Sequence, residues 1–269
     1  MVLEGARSRG LDMAVIALKE EADAELGKIA ARIHWVSLGE LSKAIDLMHQ
    51  EGVTHAVMAG QVKHNKIFSS IRPDWKLAKL LFSLPLKNTD SLIGAVARVL
   101  EDEGIKLVDS TLFLKPLVPE AGVLTRRAPD EREAADIAYG LSVARNIAGM
   151  DIGQTVVIAD RACVAVEAME GTDETVARAA RIVAGRPLVV VKVSKPGQDM
   201  RFDVPVVGLP TIEHMAASGV TALAVDAGRT LLFDREKLIA LADAKNMAIQ
   251  AFAPPAAEPN AANPGMKQE

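Results

Sequence analysis

Residues 189–208 read VVVKVSKPGQDMRFDVPVVG, and between two valine-rich runs they hold Lys192, Lys195, Gln198, Asp199, Arg201 and Asp203. A plain hairpin connection needs about two to five residues and no such concentration of charge. Lys192 alternates with the valines of an expected buried strand, where an unpaired ammonium is costly, so it requires a carboxylate or phosphate partner. Asp199, Arg201 and Asp203 share one parity and, in an extended segment, point the same way. Two carboxylates on one side with a cation between them can hold Mg²⁺ or orient a water, while the lysines neutralise a phosphate. The competing reading is an ion-pair network on a surface hairpin. Both flanking runs read as buried strands, which favours chemistry.

Three further stretches carry candidate groups. In MAGQVKHNKIF (58–68), Gly60 ends an expected strand and Lys63, His64 and Lys66 follow it; ligands of open parallel sheets sit beyond such strand ends, and a glycine lets them approach the backbone. In VEAMEGTDETVARAA (166–180), Thr172 is placed to cap a helix starting at Asp173, a natural seat for phosphate. Glu170, just before Gly171, and Asp173 are candidate metal carboxylates, although a well-capped helix alone explains much of this pattern. In DWKLAKLLFSLPL (74–86), Trp75, Leu77, Leu80, Leu81 and Leu84 with Lys76 and Lys79 make a basic amphipathic segment that either packs on a sheet or lies on a membrane surface. The five histidines lack metal-site spacing, and no GxGxxG or GxxxxGK[ST] loop occurs.

The elements that must position these groups alternate. Apolar runs at 11–18, 32–38 and 53–60 predict strands, with a helix at 39–52 between the last two. Helical patterns at 74–86 and 89–104 lead to a strand at 105–114. This is the rhythm of a parallel sheet with helices on its faces. Residues 116–129, with three prolines in KPLVPEAGVLTRRAPD and no period, read as a linker. From 130 to 253 a second α/β domain follows: a helix capped by Asp130 with Glu133 as capping-box partner, then two strands, a helix, the 187–194 strand and further alternation. The tail, 254–269, is rich in Ala and Pro and is expected to be disordered.

Bulk properties exclude several classes. With 269 residues the chain can bury a sizeable core in two domains. A net charge of −4 and an aromatic content of 3% argue against nucleic acid as a partner. The single cysteine, Cys163, rules out an intramolecular disulfide and reads as a buried inert thiol. MVLEGARSRG has no apolar core of a secretory signal, and no run reaches the roughly 18 apolar residues of a membrane span, so a cytoplasmic protein is expected.

MAGQVKH, MDIGQTVVIADRACVAVEAMEGTD and VSKPGQDMRFDVPVVG together resemble the LpxI-type UDP-2,3-diacylglucosamine pyrophosphatases of lipid A synthesis, from about residue 11 to 252. The resemblance implies an α/β protein of two domains, a Rossmann-like amino-terminal parallel sheet and a carboxyl-terminal α/β catalytic domain, with the nucleotide-linked lipid between them. It implies Mg²⁺-dependent hydrolysis to UMP and 2,3-diacylglucosamine 1-phosphate, with the family's critical carboxylate on Asp203. On this reading Asp203 ligates the metal or orients the water, supported by Asp199, while Lys195 and Arg201 offset phosphate charge and Lys63 is a further cation. Gly60, Thr172, Lys192 and Gln198 also touch substrate, and Gln154 bonds uracil or ribose. The partner implied is that lipid; its membrane origin adds an expected contact with the periphery of the inner membrane, and a homodimer is a separate expectation. One departure stands out: the family opens with a glycine-rich strand and turn, whereas MVLEGARSRGLDMAVIAL reads as the end of the following helix and the second strand, so the first strand is absent from this pattern. The rival reading is a nucleotide-sugar binding or transfer protein without hydrolase activity.

Overall fold

The computed structural model describes residues 1–60, 72–84 and 89–255. Lys63, His64, Lys66 and most of the tail lie outside the described residues. The chain divides into two compact units, Met1–Lys115 with Asp199–Asp203, and Pro116–Gln198 with Val204–Glu269. The α/β class expected from the strand–helix alternation holds in both.

The first unit begins with α1 (Val2–Arg7), β1 (Ala14–Leu18), α2 (Leu26–Ile29), β2 (Arg32–Val36), α3 (Leu41–Gln50) and β3 (His55–Val57). It continues with α4 (Trp75–Ser83), α5 (Thr89–Asp102) and β4 (Lys106–Val108). Among the described residues its strands form two parallel pairs, β1 with β2 and β3 with β4, rather than one continuous ladder. The expected strands at 53–60 and 105–114 shrink to three residues each because their outer residues turn away from the ladder. α3 and α5 bury Ile45, Leu100 and Ile105 in one cluster, and α4 packs Leu77 and Leu80 against Leu92 and Ala95 of α5 in another. Asp74 fixes the start of α4: its carboxylate accepts from Leu77 N (2.9 Å) and Ser42 N (2.6 Å).

The second unit starts with a 3₁₀ turn (Lys115–Leu117) and β5 (Gly122–Val123), then α6 (Glu131–Gly149), β6 (Thr155–Ala159) and β7 (Ala162–Val166). α7 (Thr172–Val183), β8 (Leu188–Lys192), β9 (Val206–Val207), α8 (Leu209–Ala217) and β10 (Val220–Asp226) follow. β11 (Leu231–Leu232), α9 (Arg235–Ala244) and β12 (Ala248–Phe252) complete the elements. A six-stranded mixed sheet runs β5-β12-β10-β8-β6-β7, with β8, β10 and β12 parallel, β5 and β6 antiparallel to them, and the edge strand β7 antiparallel to β6. β6, β8 and β10 are apolar along nearly their whole length because both faces are covered. α6 lays Ile137, Ala144 and Ala148 on one face, against Val156, Ile158, Val189 and Val191, while α7, α8 and α9 seal the other around Leu223, Ile212 and Leu238. Gly140 permits the close approach of α6: a Cβ there would stand 2.6 Å from Val191 Cγ2 and 2.9 Å from Ile158 Cγ1.

Two sequence expectations change here. Residues 116–129, read as a linker, lie in the second unit and supply the edge strand β5. Arg127 anchors the segment by a two-pronged contact with Glu133 (2.7 and 2.9 Å) and a bond to the Thr221 carbonyl (2.7 Å). The second valine run is not a central strand. Among the described residues Val206–Val207 pair with β11 alone, and Val206 is exposed. The capping box of Asp130 and Glu133 forms as expected, with both of its bonds present.

Candidate active site

In the second unit, polar side chains gather where β8 and β10 end, the edge at which α/β sheets bind ligands. Lys192, the last residue of β8, keeps its ammonium nearly buried, with 12% of the side chain exposed. Its Nζ donates to Thr172 Oγ1 (2.9 Å) and Thr155 Oγ1 (3.2 Å), with Glu167 Oε2 at 3.9 Å. Thr172 in turn donates to Glu167 Oε1 (2.7 Å). The partner that a buried lysine demands is therefore Glu167, reached directly at 3.9 Å and through the Thr172 hydroxyl. Thr172 does not cap α7. The N-cap is Gly171 at φ +86°, and the threonine hydroxyl is spent on Glu167 instead.

Gln154 enters the same cluster from the start of β6. Its backbone N–H reaches Glu167 Oε2 (3.4 Å), and its buried Oε1 has no hydrogen-bond partner among the described residues. A buried acceptor left open in this way is a place for a ligand donor or a water. Gly153 is what lets this strand start against Glu167, since a Cβ there would stand 1.9 Å from the Glu167 carbonyl oxygen. Beside the cluster, a cleft of about 290 Å³ at the start of α7 is lined by Glu170, Gly171, Thr172, Asp173, Glu174 and Thr211.

A second polar knot sits at the end of β10. Asp226 is 1% exposed and accepts from Ser194 N and Ser194 Oγ (both 2.8 Å), with Arg145 Nη2 of α6 at 3.4 Å. Neither Asp226 nor Arg145 was among the expected site residues. The acid that closes the apolar run TALAVDAG is the signal that could have found the first; an arginine inside a helix offers none. Lys195 bonds Asp151 (2.6 Å), and its backbone N–H donates to Gln198 Oε1 (2.5 Å), so both are braced within the loop after β8.

The remaining expected residues fall in the first unit. Residues 200–202 form a turn, with Phe202 N and Asp203 N both donating to the Asp199 carbonyl (3.2 and 3.0 Å), so the parity of an extended strand does not apply. Asp199 instead grips Arg201 with both oxygens (2.9 Å to Nε, 2.7 Å to Nη2). The bond from Arg201 holds the Asp199 carboxyl below its usual range, and the same bond raises the pKa of the guanidinium. Ser110 ties this turn down, its N–H donating to the Met200 carbonyl (2.9 Å) and its hydroxyl lying 2.6 Å from the Arg201 carbonyl. Gly60 follows β3 at φ +104°, a conformation that favours glycine. Lys63 lies outside the described residues.

A magnesium ion fits these residues only in part. Among the described residues no group of three His, Cys, Asp or Glu side chains is gathered to hold a metal. Glu170 does not fit as a direct ligand, because its carboxylate is engaged by Arg178 (2.6 Å) and by Ala168 N (3.0 Å). Its own backbone N–H and Arg178 lower its pKa. Asp199 is likewise committed to Arg201. Mg²⁺ takes as few as one or two protein carboxylates and completes its shell with phosphates and water. Cys163 is half-buried, and burial pushes its thiol pKa up, as suits an inert side chain.

The described residues thus set a buried ammonium, hydroxyls and an open acceptor at one sheet edge of an α/β protein. Comparison with known proteins shows its family. Residues 1–117 match the LpxI N-terminal domain and residues 120–250 the LpxI C-terminal domain. A protein of Caulobacter vibrioides named UDP-2,3-diacylglucosamine pyrophosphatase LpxI is 34% identical over 244 residues, covering 87% of this chain and 86% of the relative. The chain belongs to the LpxI family.

Proposed function

We propose that this protein hydrolyses the pyrophosphate bond of UDP-2,3-diacylglucosamine to UMP and 2,3-diacylglucosamine 1-phosphate, a step of lipid A synthesis. The observation that carries this reading is the 34% identity, spread over both domains, to a relative named for that pyrophosphatase. The cation-and-hydroxyl cluster of Lys192, Thr155 and Thr172 supports it as a seat for phosphate oxygens. Phosphate oxygens placed there would take over the donors that Lys192 now spends on the two threonines. Fixed cations meeting charge as it develops are a leading catalytic term.

In this reading Asp203 holds Mg²⁺ or orients the attacking water, and Asp199 keeps the guanidinium of Arg201 presented. Lys195 and Gln198 steady the loop that carries the chain from β8 toward Asp203. Gln154 supplies an acceptor to a base or ribose donor. When bound, the metal offsets pyrophosphate charge and lowers the pKa of a coordinated water. Incubation with UDP-2,3-diacylglucosamine and Mg²⁺ should release UMP into water with no acceptor added, and EDTA should stop it. Absence of UMP, or release only when an acceptor sugar is present, overturns the reading.

A further inference from the structure

Helix α4 has two apolar faces, and only one of them is used inside its unit. Leu77 and Leu80 are buried against α5, while Trp75 and Phe82 are 82% and 91% exposed. These two aromatics are seven residues apart, two helical turns, so they share a face. Lys79, exposed, stands between them on that face, four residues from one and three from the other. It has no carboxylate partner among the described residues, whereas Lys76 is tied back to Glu103. A single exposed apolar residue needs no explanation, but two large aromatics flanking a lysine in a chain with only 3% aromatic content do.

The surrounding sequence is one-signed. Between Gln61 and Asn88 stand Lys63, Lys66, Arg72, Lys76, Lys79 and Lys87 against one acid, Asp74. Both oxygens of Asp74 are consumed in fastening the start of α4. Aromatic rings that favour the headgroup layer, set among cations, match an anionic bilayer surface. We infer that the outer face of α4 docks this protein on anionic phospholipid membranes, with Trp75 and Phe82 entering the headgroup region and Lys79 meeting lipid phosphate. Among the described residues no helix is long and apolar enough to cross a membrane, so the attachment is to one surface. The inference does not depend on the proposed reaction.

The test is flotation of the full-length protein with phosphatidylcholine vesicles, with and without phosphatidylglycerol. The wild type should float with the anionic vesicles only, and less so as salt rises. Lys79→Glu should weaken binding by at least about fivefold, the worth of one basic charge at such a surface. Trp75→Ser with Phe82→Ser should abolish flotation while leaving the thermal transition unchanged, since neither ring is packed inside. Failure of the wild type to float, or flotation of the double variant equal to wild type, overturns the inference. So does a wild-type dimer that the double variant loses, because the face would then bind a second copy of the chain. Turnover of detergent-dispersed substrate by the double variant should equal wild type. If neither protein turned that substrate over, the proposed reaction would fail while the flotation result stood.

Discussion

Lys192 Nζ lies 2.9 Å from Thr172 Oγ1, which joins the last residue of β8 to the first residue of α7. The bond fixes an ammonium at a strand end, beside a longer ion pair to Glu167 Oε2 at 3.9 Å. Lys192→Met should lower kcat by roughly a hundredfold, the usual cost of removing one donor to developing charge. Thr172→Val should lose activity and Thr172→Ser should recover it, because only the hydroxyl matters. Steady-state kinetics alongside circular dichroism would check both. Full activity in Lys192→Met would remove this cluster from the site.

Asp203→Asn should reduce turnover by about a hundredfold or more with substrate binding retained. Asp199→Asn should be milder and show in KM, since it loosens Arg201 rather than removing a group from the reaction. Titration of Mg²⁺ against each variant separates the roles. A raised metal requirement in Asp203→Asn and none in Asp199→Asn is the expected pattern.

Gly140→Ala and Gly153→Ala should both destabilise the second unit. At Gly140 the added methyl meets the side chains of Val191 and Ile158, an overpacking cost of about 1–3 kcal/mol. At Gly153 it meets the backbone of Glu167, which cannot yield as a side chain can, so the loss should be larger. Each kcal/mol should appear as a fall of about 2–4 °C in Tm. Gly153→Ala should also depress activity, by displacing Glu167 and the start of β6.

Glu133 is nearly inaccessible and pairs with Arg127. Burial opposes its ionisation, but bonds from Arg127, Thr221 and Asp130 N outweigh that, and its pKa falls below 4.5. The unfolded chain therefore binds this proton more tightly than the folded one. The stabilisation is complete above the unfolded value and is lost as pH falls through the lower, folded one. Thermal melts of wild type and Glu133→Gln should differ by about 2 kcal/mol at neutral pH, discounted for the partial exposure of Arg127. The two curves should converge in acid below 4.5. A constant gap down to the lowest pH would show that charge is not what Glu133 contributes.

The central sheet was readable because β6, β8 and β10 are covered on both faces and so appear as unbroken apolar runs. The same signal misled at Val206–Val207, since an apolar run reveals neither its pairing partner nor its length. Prolines concealed β5, although two residues at a sheet edge suffice for a ladder. Lys192 was legible as a buried cation in want of a partner; that its partners would be Thr155 and Thr172 depended on the distant strand and helix that carry them. The pairing of Glu170 with Arg178, eight residues on, required the turn into α7 to be formed. Asp226 illustrates a clue left unused: an acid closing a buried strand, followed at once by a small residue and a glycine.

Asp199–Asp203 belongs with the amino-terminal unit although it is encoded far downstream of Lys115. Severing the gene between the two halves would therefore strand a piece of one domain on the other. A recombinant amino-terminal fragment would offer the N–H of Ser110 to solvent in place of the Met200 carbonyl. Shuffling or swapping these domains between relatives demands two matched breakpoints flanking that loop as well as the obvious one.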